Sequence, residues 1–133
     1  MQFDLVTPEQ LLVSSEASYV TVPGSEGSFG VLEGHQPTLS TLQPGVVEVE
    51  NNGEKKFFFV GYGFVDVTSE KVTVLAEEAA LKEDIDAKET QMQMQEAQDT
   101  LTKLVKSSAT AGEIEQITRK VTCLEARLKL ANS

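Results

Sequence analysis

The chain is poor in the side chains from which catalytic and metal sites are usually built. Its 133 residues include one cysteine, Cys123, and one histidine, His35. A single cysteine excludes an intramolecular disulfide framework and a multi-thiolate metal site, and it fits a reducing compartment. Any Ser-His-Asp or metal site would depend on His35, whose neighbours Glu33 and Gln36 offer no ligand spacing. We therefore expect no catalytic group and no metal site, and a loop-shaping or interface role for His35.

Long apolar runs and phosphate-binding motifs are also missing. No segment approaches the roughly 20 apolar residues that cross a bilayer, and residues 1–4 lack the basic and apolar regions of a signal peptide. The spacing of Gly24, Gly27 and Gly30 differs from that of a dinucleotide-binding loop, and no helix pattern follows it. We expect a protein without a cofactor and without direct membrane insertion, which reaches a membrane only through a partner.

Basic residues are scarce in the first part of the chain. The formal net charge is −10, and residues 1–84 hold 14 acidic and four basic residues, whereas residues 85–133 hold seven of each. An acidic first part is repelled by phosphate backbones and anionic lipids, which argues against nucleic-acid binding and polybasic membrane attachment. The asymmetry predicts two units with different partners.

The first 84 residues have the pattern of short antiparallel strands. Apolar and polar residues alternate with a period near two, and Asn52-Gly53 between two such segments is a strong hairpin signal. Residues 61–63 predict a flexible corner, and residues 76–80 predict a link or a short turn. The sequence thus indicates an N-terminal β-sandwich or flattened barrel over residues 1–84. The predicted strands are 3–7, 18–22, 46–50, 56–60, 64–67 and 72–75.

The pattern changes to a helical period in residues 85–133. One helix is predicted from about Asp86 to Lys106, after an acidic start. Thr110 and Glu113 have the spacing of a capping box for a second helix, whose apolar seam repeats every three or four residues. Because each helix has one seam and the loop is short, we expect an antiparallel two-helix hairpin as a second domain. The seam of the second helix consists of Ile114, Ile117, Val121, Leu124, Leu128 and Ala131.

Residues 22–37 are dense in glycine and proline, which predicts a shaped loop of turns and short strands. Few of its side chains are apolar enough to anchor it. We expect its polar groups to be exposed, namely Ser25, Glu26, Ser28, Glu33 and His35.

Two further features can be interpreted either as ordinary structure or as a contact with another subunit. Phe57-Phe58-Phe59 cannot all point into a sheet that is covered on one face only, so we expect the outward aromatic surface at a subunit interface, with a two-sided core as the alternative. The cations of the tail form either a solvated helix face or a basic surface for acidic segments of a neighbouring subunit. These cations include Lys103, Lys106, Arg119, Lys120 and Arg127.

Three ordered motifs carry a resemblance to a known family. They are residues 22–37, which read VPGSEGSFGVLEGHQP, then LQPG at residues 42–45 and FDLVTPE at residues 3–9. Together they resemble the epsilon subunit of bacterial F-type ATP synthase, whose mitochondrial counterpart is called delta. The resemblance covers the whole chain, including a two-helix tail.

The resemblance implies a non-catalytic rotor subunit in the central stalk, coupling proton flow to ATP synthesis. In the family, the sandwich binds the side of the gamma subunit and sits on the ring of c subunits, at the cytoplasmic face of the bacterial membrane. The resemblance implies that the c ring and the foot of gamma face two short segments of this chain. These segments are Ser25, Glu26, Gly27, Ser28 and Phe29, and Glu33, Gly34 and His35.

The tail of many family members can extend toward the alpha and beta subunits and block ATP hydrolysis, and in some members ATP holds it folded down. The ATP-binding members carry Ile/Leu-Asp-x-x-Arg-Ala at the start of the first helix. Ile85 and Asp86 match that motif, but Glu89 and Thr90 stand where arginine and alanine are expected. A carboxylate in place of a phosphate-facing cation reverses the local charge, so we predict no nucleotide binding and at most a weak brake.

Two other functions remain open from the residues alone. A free β-sandwich interaction module could dimerise through the seam between Ile114 and Leu128 of its helical hairpin, and would not co-purify with a gamma subunit. A β-barrel hydrolase using His35 would show activity in the isolated chain that is lost in His35→Ala.

Overall fold

The computed structural model describes residues 1–133, with ten strands followed by two long helices. The strands are β1 (Gln2–Val6), β2 (Leu11–Glu16), β3 (Tyr19–Gly24), β4 (Gly27–Leu32), β5 (Thr38–Leu42), β6 (Gly45–Asn51), β7 (Glu54–Val60), β8 (Gly63–Val67), β9 (Lys71–Ala76) and β10 (Ala79–Leu81). A short 3₁₀ turn, Lys82–Asp84, leads to α1 (Ala87–Lys106) and α2 (Ala111–Ala131).

The strands form two sheets that face each other. One sheet has the order β10-β7-β6-β3-β4 and the other has the order β5-β8-β9-β1-β2, and a single pairing between Gly24 and Leu42 joins them. All pairings are antiparallel except that of β1 with β9. The predicted sandwich is confirmed, although the parallel pair closes it with residues that lie about 70 positions apart in sequence.

Strand alternation builds the core between the sheets. Every second residue of β1, β8 and β9 points inward and meets the inward residues of β3, β6 and β7. Phe3 stacks on Phe58 across this core, with ring centroids 6.1 Å apart. Valine dominates the remainder, which suits a pleated surface covered on both sides. These residues include Val20, Val22, Val47, Val65, Val67, Val72 and Val74.

The predicted hairpins are present at the predicted positions. Residues 52 and 53 have φ angles of 54° and 83°, so Asn52-Gly53 makes the two-residue turn that joins β6 to β7. The hairpin of β8 and β9 also agrees with the pattern. Four strands are missing from the predicted ones, and the first of them, β4, lies in the segment predicted as a loop of turns and short strands. The other three are β2, β5 and β10, whose sequences LLVSSE, TLSTL and AAL lack clear alternation and gain their conformation from pairing with β1, β8 and β7.

The prediction that residues 61–63 form a corner because glycine makes them flexible is wrong about the role of glycine. Gly63 begins β8, and a Cβ on it would lie 1.9 Å from the carbonyl oxygen of Leu75. Glycine is required here because β8 and β9 approach closely, rather than because the chain needs freedom. Any side chain at residue 63 would push these strands apart.

The aromatic run lies in a two-sided core. Phe58 is 1% exposed and faces the core between the sheets, whereas Phe59 is fully buried on the opposite face, under α2. The expectation of an outward aromatic subunit interface is therefore wrong, because the hairpin of this same chain covers the face. Cys123 and Leu130 of α2 pack against Phe59.

The two helices form the predicted antiparallel hairpin. The side chains of Asp86 and Thr110 accept hydrogen bonds from the backbone N–H groups of Glu89 and Glu113, at 3.0 and 3.2 Å, and so cap α1 and α2. Val121 and Leu124 pack on Ala97 of α1. A second apolar face of α2, not separated from the seam in the sequence pattern, lies on β6 and β7.

The division into two domains near residue 84 stays a prediction, because the hairpin packs directly on the sandwich. No helix in the structure is both long enough and apolar enough to cross a membrane.

Candidate functional site

The first predicted contact segment lies in the turn between β3 and β4. Ser25 and Glu26 are exposed, and Gly27 has a φ of +130°, which only glycine adopts readily. The N–H of Ser25 donates to the carbonyl of Thr41 at 2.9 Å, and the two hydroxyl groups of these residues also bond. The turn is therefore tied to the end of β5 and is held in one shape.

Ser28 and Phe29 follow this turn on β4 but differ in exposure. Ser28 is exposed, whereas Phe29 is half-buried and packs against the core of the sandwich. A Cβ on Gly24 would lie 3.0 Å from the ring of Phe29, so the ring fits against a bare glycine. Phe29 thus shapes the turn, and Ser28 is the residue of the pair that is open to a partner.

The second predicted segment lies at the other end of β4. The N–H of Gly34 donates to the carbonyl of Ser69 at 2.9 Å, and His35 Nδ1 donates to the carbonyl of Gln36 at 2.7 Å. Glu33 is exposed in the same turn. A six-residue strand spans roughly 20 Å, so the structure does not bring the two predicted segments together into one patch.

An apolar row on the uncovered sheet was missed by the sequence analysis. Phe64 pairs with Leu75, Leu75 with Val6, and Val6 with Leu11, so four neighbouring strands align their outward apolar residues. Phe64 is 51% exposed, and Leu11 and Leu75 are also exposed. We call Leu11, Val6, Leu75 and Phe64 the apolar row. The signal that could have found it is the outward position of apolar residues in strands whose other apolar residues point inward.

The apolar row is continuous with the first contact segment. Thr41 pairs with Phe64 across β5 and β8, and Thr41 is the residue to which Ser25 is bound. Leu39, at 73% exposure the most open large apolar side chain, lies on the outward face of β5. The turn at Ser25 and the apolar row therefore form one surface, and the turn at His35 lies apart from it.

The five predicted tail cations fall into two groups. Lys103, Lys106 and Lys120 are exposed and form no ion pair. Arg119 instead lies on the sandwich, with its guanidinium carbon 4.0 Å from the centre of the Tyr62 ring. The guanidinium carbon of Arg127 lies 5.2 Å from the centre of another aromatic ring, that of Phe59.

Cys123 lies between these two arginines on α2, against the sheet. Burial, together with the nearby carboxylate of Glu78, raises the pKa of its thiol to about 11. The thiol is thus protonated at neutral pH and mostly buried, which makes it weakly reactive while α2 is in place. A cleft of about 590 Å³ opens beside it, lined by Glu77, Glu78 and Glu96 as well as by Arg119, Lys120 and Arg127.

The start of α1 holds the residues of the broken nucleotide motif. Ile85 packs in the small apolar cluster around Phe59, and Asp86 caps the helix. The hydroxyl of Thr90 donates to the carbonyl of Asp86 at 2.7 Å and is buried, while Glu89 is exposed. The Asp86 carboxylate and the Thr90 hydroxyl are thus already used within the chain. No group of three or more His, Cys, Asp or Glu side chains is placed to hold a metal ion.

Comparison with protein families decides what kind of chain this is. Residues 1–82 match the model of the ATP synthase, Delta/Epsilon chain, beta-sandwich domain. The chain belongs to this ATP synthase delta/epsilon family. The resemblance and the fold class predicted from the sequence are thereby confirmed.

Related chains agree with this assignment. The ATP synthase epsilon chain of Parvibaculum lavamentivorans is 49% identical over 88 residues, which cover 65% of this chain and 67% of that one. The ATP synthase epsilon chain of Maricaulis maris is 39% identical over 102 residues, which cover 77% of each. Both alignments extend beyond residues 1–82 in length, so the delta/epsilon family assignment does not depend on the sandwich model alone.

Solved structures extend the match to the hairpin. A chain in the Euglena gracilis mitochondrial ATP synthase, in an OSCP/F1/c-ring assembly, superimposes with a TM-score of 0.79 at 26% identity, covering 98% of this chain and 80% of that one. A chain in the Tetrahymena thermophila mitochondrial ATP synthase central stalk and c ring has a TM-score of 0.53 at 18% identity, covering 65% of this chain and 69% of that one, and supports the fold alone. The sandwich and hairpin together are thus an arrangement found in a chain of a solved mitochondrial ATP synthase.

Proposed function

We propose that the chain is the epsilon subunit of an F-type ATP synthase and acts as a non-catalytic part of the central stalk. The observation that carries the proposal is the superposition of 98% of the chain on a subunit of an assembly that contains F1 and a c ring. The sandwich then links the gamma subunit to the c ring and couples proton flow to ATP synthesis. The subunit is peripheral to the cytoplasmic face of the bacterial membrane.

A coupling role agrees with the chemistry of the surface. The only histidine is tied to a backbone carbonyl through Nδ1, and none of the groups around it is arranged to activate a nucleophile. A rotor element needs a rigid shape, and the ten paired strands provide it. We therefore assign no catalytic residue to this chain.

The gamma subunit is proposed to bind the apolar row. The row is exposed on a sheet that no element of this chain covers, and contiguous outward apolar side chains of this kind mark a protein interface. Asp4 and Asp66 border it on the same face, because both pair with Thr73, so the gamma surface should combine apolar residues with a basic rim.

The two turns of the sandwich are proposed to face the c ring and the foot of gamma. The first turn is continuous with the apolar row, so it is proposed to contact gamma together with that row. This turn consists of Ser25, Glu26, Gly27 and Ser28. Glu33, Gly34 and His35 lie at the opposite end of β4, so they are proposed to form a separate contact. Phe29 supports the first turn from within.

The tail is proposed to be a weak brake on ATP hydrolysis that does not sense nucleotide. Its cations Lys103, Lys106, Arg119, Lys120 and Arg127 would meet acidic segments of alpha and beta when the hairpin extends. The exposed carboxylate of Glu89 stands where the ATP-binding motif has arginine, and it opposes a bound triphosphate. A free module that dimerises through its hairpin is less well supported, because Val121 and Leu124 of the seam are already covered by α1.

The experiment that tests the subunit role uses the assembled complex. Membranes with an ATP synthase that lacks this chain are supplied with the purified full-length chain, and ATP-driven proton pumping is measured beside co-purification with gamma. We expect stable binding to gamma and restored pumping. A chain that neither binds gamma nor restores pumping would be an independent module instead.

A further inference from the structure

The hairpin is attached to the sandwich mainly through one face of α2. That face carries Arg119, Cys123 and Arg127 at intervals of four residues, followed by Leu130. The apolar part of the attachment is built from Cys123 and Leu130 of α2, which pack on the fully buried Phe59. Polar groups at the edge of this contact add to what holds the hairpin down.

Besides the hydrogen bond of 2.9 Å from Lys82 Nζ to the carbonyl of Ser133, two arginines of α2 make contacts of this kind. The guanidinium of Arg119 stacks on Tyr62 at 4.0 Å and also approaches Glu77, with 3.8 Å between Nη2 and Oε1. The guanidinium of Arg127 lies over Phe59 at 5.2 Å. Planar guanidinium groups are well suited to stacking on aromatic faces, and such contacts are stronger where water is partly excluded.

The same two arginines are among the five cations assigned above to contacts with alpha and beta. A guanidinium cannot lie on an aromatic ring of its own sandwich and pair with a carboxylate of another subunit at the same time. The three exposed lysines of the set have no such conflict. Arg127 carries a further sign of a divided role, because its Nε is buried without a hydrogen-bond partner in the docked position.

We propose that Arg119 on Tyr62 and Arg127 on Phe59 form an aromatic latch that holds the hairpin docked and withholds two cations from other subunits. The latch replaces the bound nucleotide as the element that keeps the tail down. The assignment of the withheld cations rests on the proposed function, whereas the latch itself is a property of the isolated chain.

Cys123 is a built-in reporter for the latch. Its thiol is only 9% exposed where it lines the cleft between α2 and the sheet, so alkylation is slow while the hairpin is docked and becomes faster when the hairpin moves away. When opening and closing are faster than alkylation, the rate of alkylation is proportional to the open fraction. Iodoacetamide, applied to the isolated full-length chain, therefore measures docking without any other subunit.

The decisive variants change the ring and the guanidinium separately. Tyr62→Leu removes the aromatic face and should raise the rate of Cys123 alkylation about three- to tenfold, whereas Tyr62→Phe should leave it unchanged. Arg119→Met keeps the length of the side chain and should act like Tyr62→Leu, and the double variant should show no further increase. Lys88→Gln, which removes one exposed charge from α1, is the matched control. An unchanged rate in Tyr62→Leu would overturn the latch.

A second measurement separates docking from general instability. Val65→Ala weakens the core between the sheets without touching α2, so it should lower the urea midpoint and leave alkylation in water unchanged. If Tyr62→Leu raised alkylation only in proportion to a lower urea midpoint, the proposal would be overturned.

ATP hydrolysis by the assembled complex distinguishes the latch from the proposed brake. Faster alkylation in Tyr62→Leu together with reduced ATP hydrolysis supports both the latch and the inhibitory role of the tail. Faster alkylation with unchanged hydrolysis retains the latch and removes the brake.

Discussion

Phe58 and Phe59 are neighbours on β7, and both are buried, but they belong to different parts of the molecule. Phe58 stacks on Phe3 inside the sandwich, and Phe59 lies on the outer face of the same sheet under α2. One strand thus serves two cores. The position of the hairpin is fixed by a residue directly beside the centre of the sandwich.

This relationship predicts that two adjacent truncations have different results. Phe58→Ala should destabilise the sandwich by about 3–5 kcal/mol, the usual cost of removing a buried phenylalanine ring. Phe59→Ala should mainly release the hairpin, because the lost contacts lie between β7 and α2. The measurements are the urea midpoint of the sheet and the rate of Cys123 alkylation. Equal loss of sheet stability in both variants, with equal alkylation, would show that the two cores are not separate.

The inhibitory role of the tail can be tested with a reversible lock. A Cβ on Gly61 would lie 3.5 Å from Sγ of Cys123 and 3.6 Å from the carbonyl oxygen of Glu78. It would also lie 2.8 Å from Cγ of Glu78, whose exposed side chain has to shift. Gly61→Cys should therefore form a disulfide with Cys123 under oxidation and hold the hairpin on the sandwich. If the tail is a brake, the oxidised complex should hydrolyse ATP faster than the same complex after reduction.

The control for the lock is Gly61→Ser, which adds a similar volume and cannot form the bond. Hydrolysis by complexes with Gly61→Ser should not depend on oxidation. If oxidised and reduced Gly61→Cys complexes hydrolyse ATP equally fast, residues 85–133 are structural in this subunit.

The sequence predicted the parts of the fold that depend on local signals. The expected roles are found for Asn52-Gly53, for the caps Asp86 and Thr110, and for Ile117, Val121 and Leu124 in the seam of α2. Each of these signals acts within a few residues. The parallel pairing of β1 with β9 could not be predicted, because its partners are far apart and neither strand specifies the other. The aromatic run was misassigned for the same reason, since the cover of Phe59 comes from residues more than 60 positions later.

The candidate surfaces were predictable only in part. Turn residues such as Ser25 and Glu33 stand out in the sequence as exposed polar groups. The apolar row does not, because Leu11, Val6, Leu75 and Phe64 come from four strands and become neighbours only through register. The stacking of Arg119 on Tyr62 likewise needs the docking of α2, which no local pattern contains.

The free energy of unfolding should depend on pH through the ionisation of Asp4. Hydrogen bonds from Gln2, Lys71 and Ser14 hold the pKa of its carboxyl below 3.8, with Gln2 the largest cause, and burial opposes them only in part. The folded state therefore binds the proton less well than the unfolded chain. The stabilisation is fully present above about pH 4 and is lost as the pH falls through the pKa of the folded state.

Because the pKa of Asp4 is lowered in the folded state, the effect of replacing Asp4 should differ between pH 7 and pH 3. Asp4→Asn should cost up to about 1 kcal/mol at pH 7, since it removes the ion pair with the half-exposed Lys71. The difference from the wild type should shrink toward pH 3. Asp66→Asn, on the same face and without an ion pair, is the control and should cost little. Urea unfolding at pH 7 and pH 3 measures both, and a pH-independent cost would mean that the Asp4 carboxylate does not contribute through its charge.

The last prediction concerns the apolar row as the surface for gamma. Phe64→Glu places a charge in the middle of the row, where its side chain is half exposed, so the isolated sandwich should remain folded. The variant should bind gamma at least tenfold more weakly, because an unpaired charge would be buried at the contact. Membranes that depend on it should show reduced ATP-driven proton pumping.

Met92→Glu is the matched control for this test, since Met92 is 66% exposed and lies on α1, away from the sheet. It should leave gamma binding and pumping unchanged. Leu75→Glu, next to Phe64 in the row, should repeat the defect, because the proposed contact extends across the register rather than resting on one ring. If both row variants bind gamma as tightly as the wild type, the partner of this sheet is not gamma, and the turn at Ser25 loses its proposed neighbour as well.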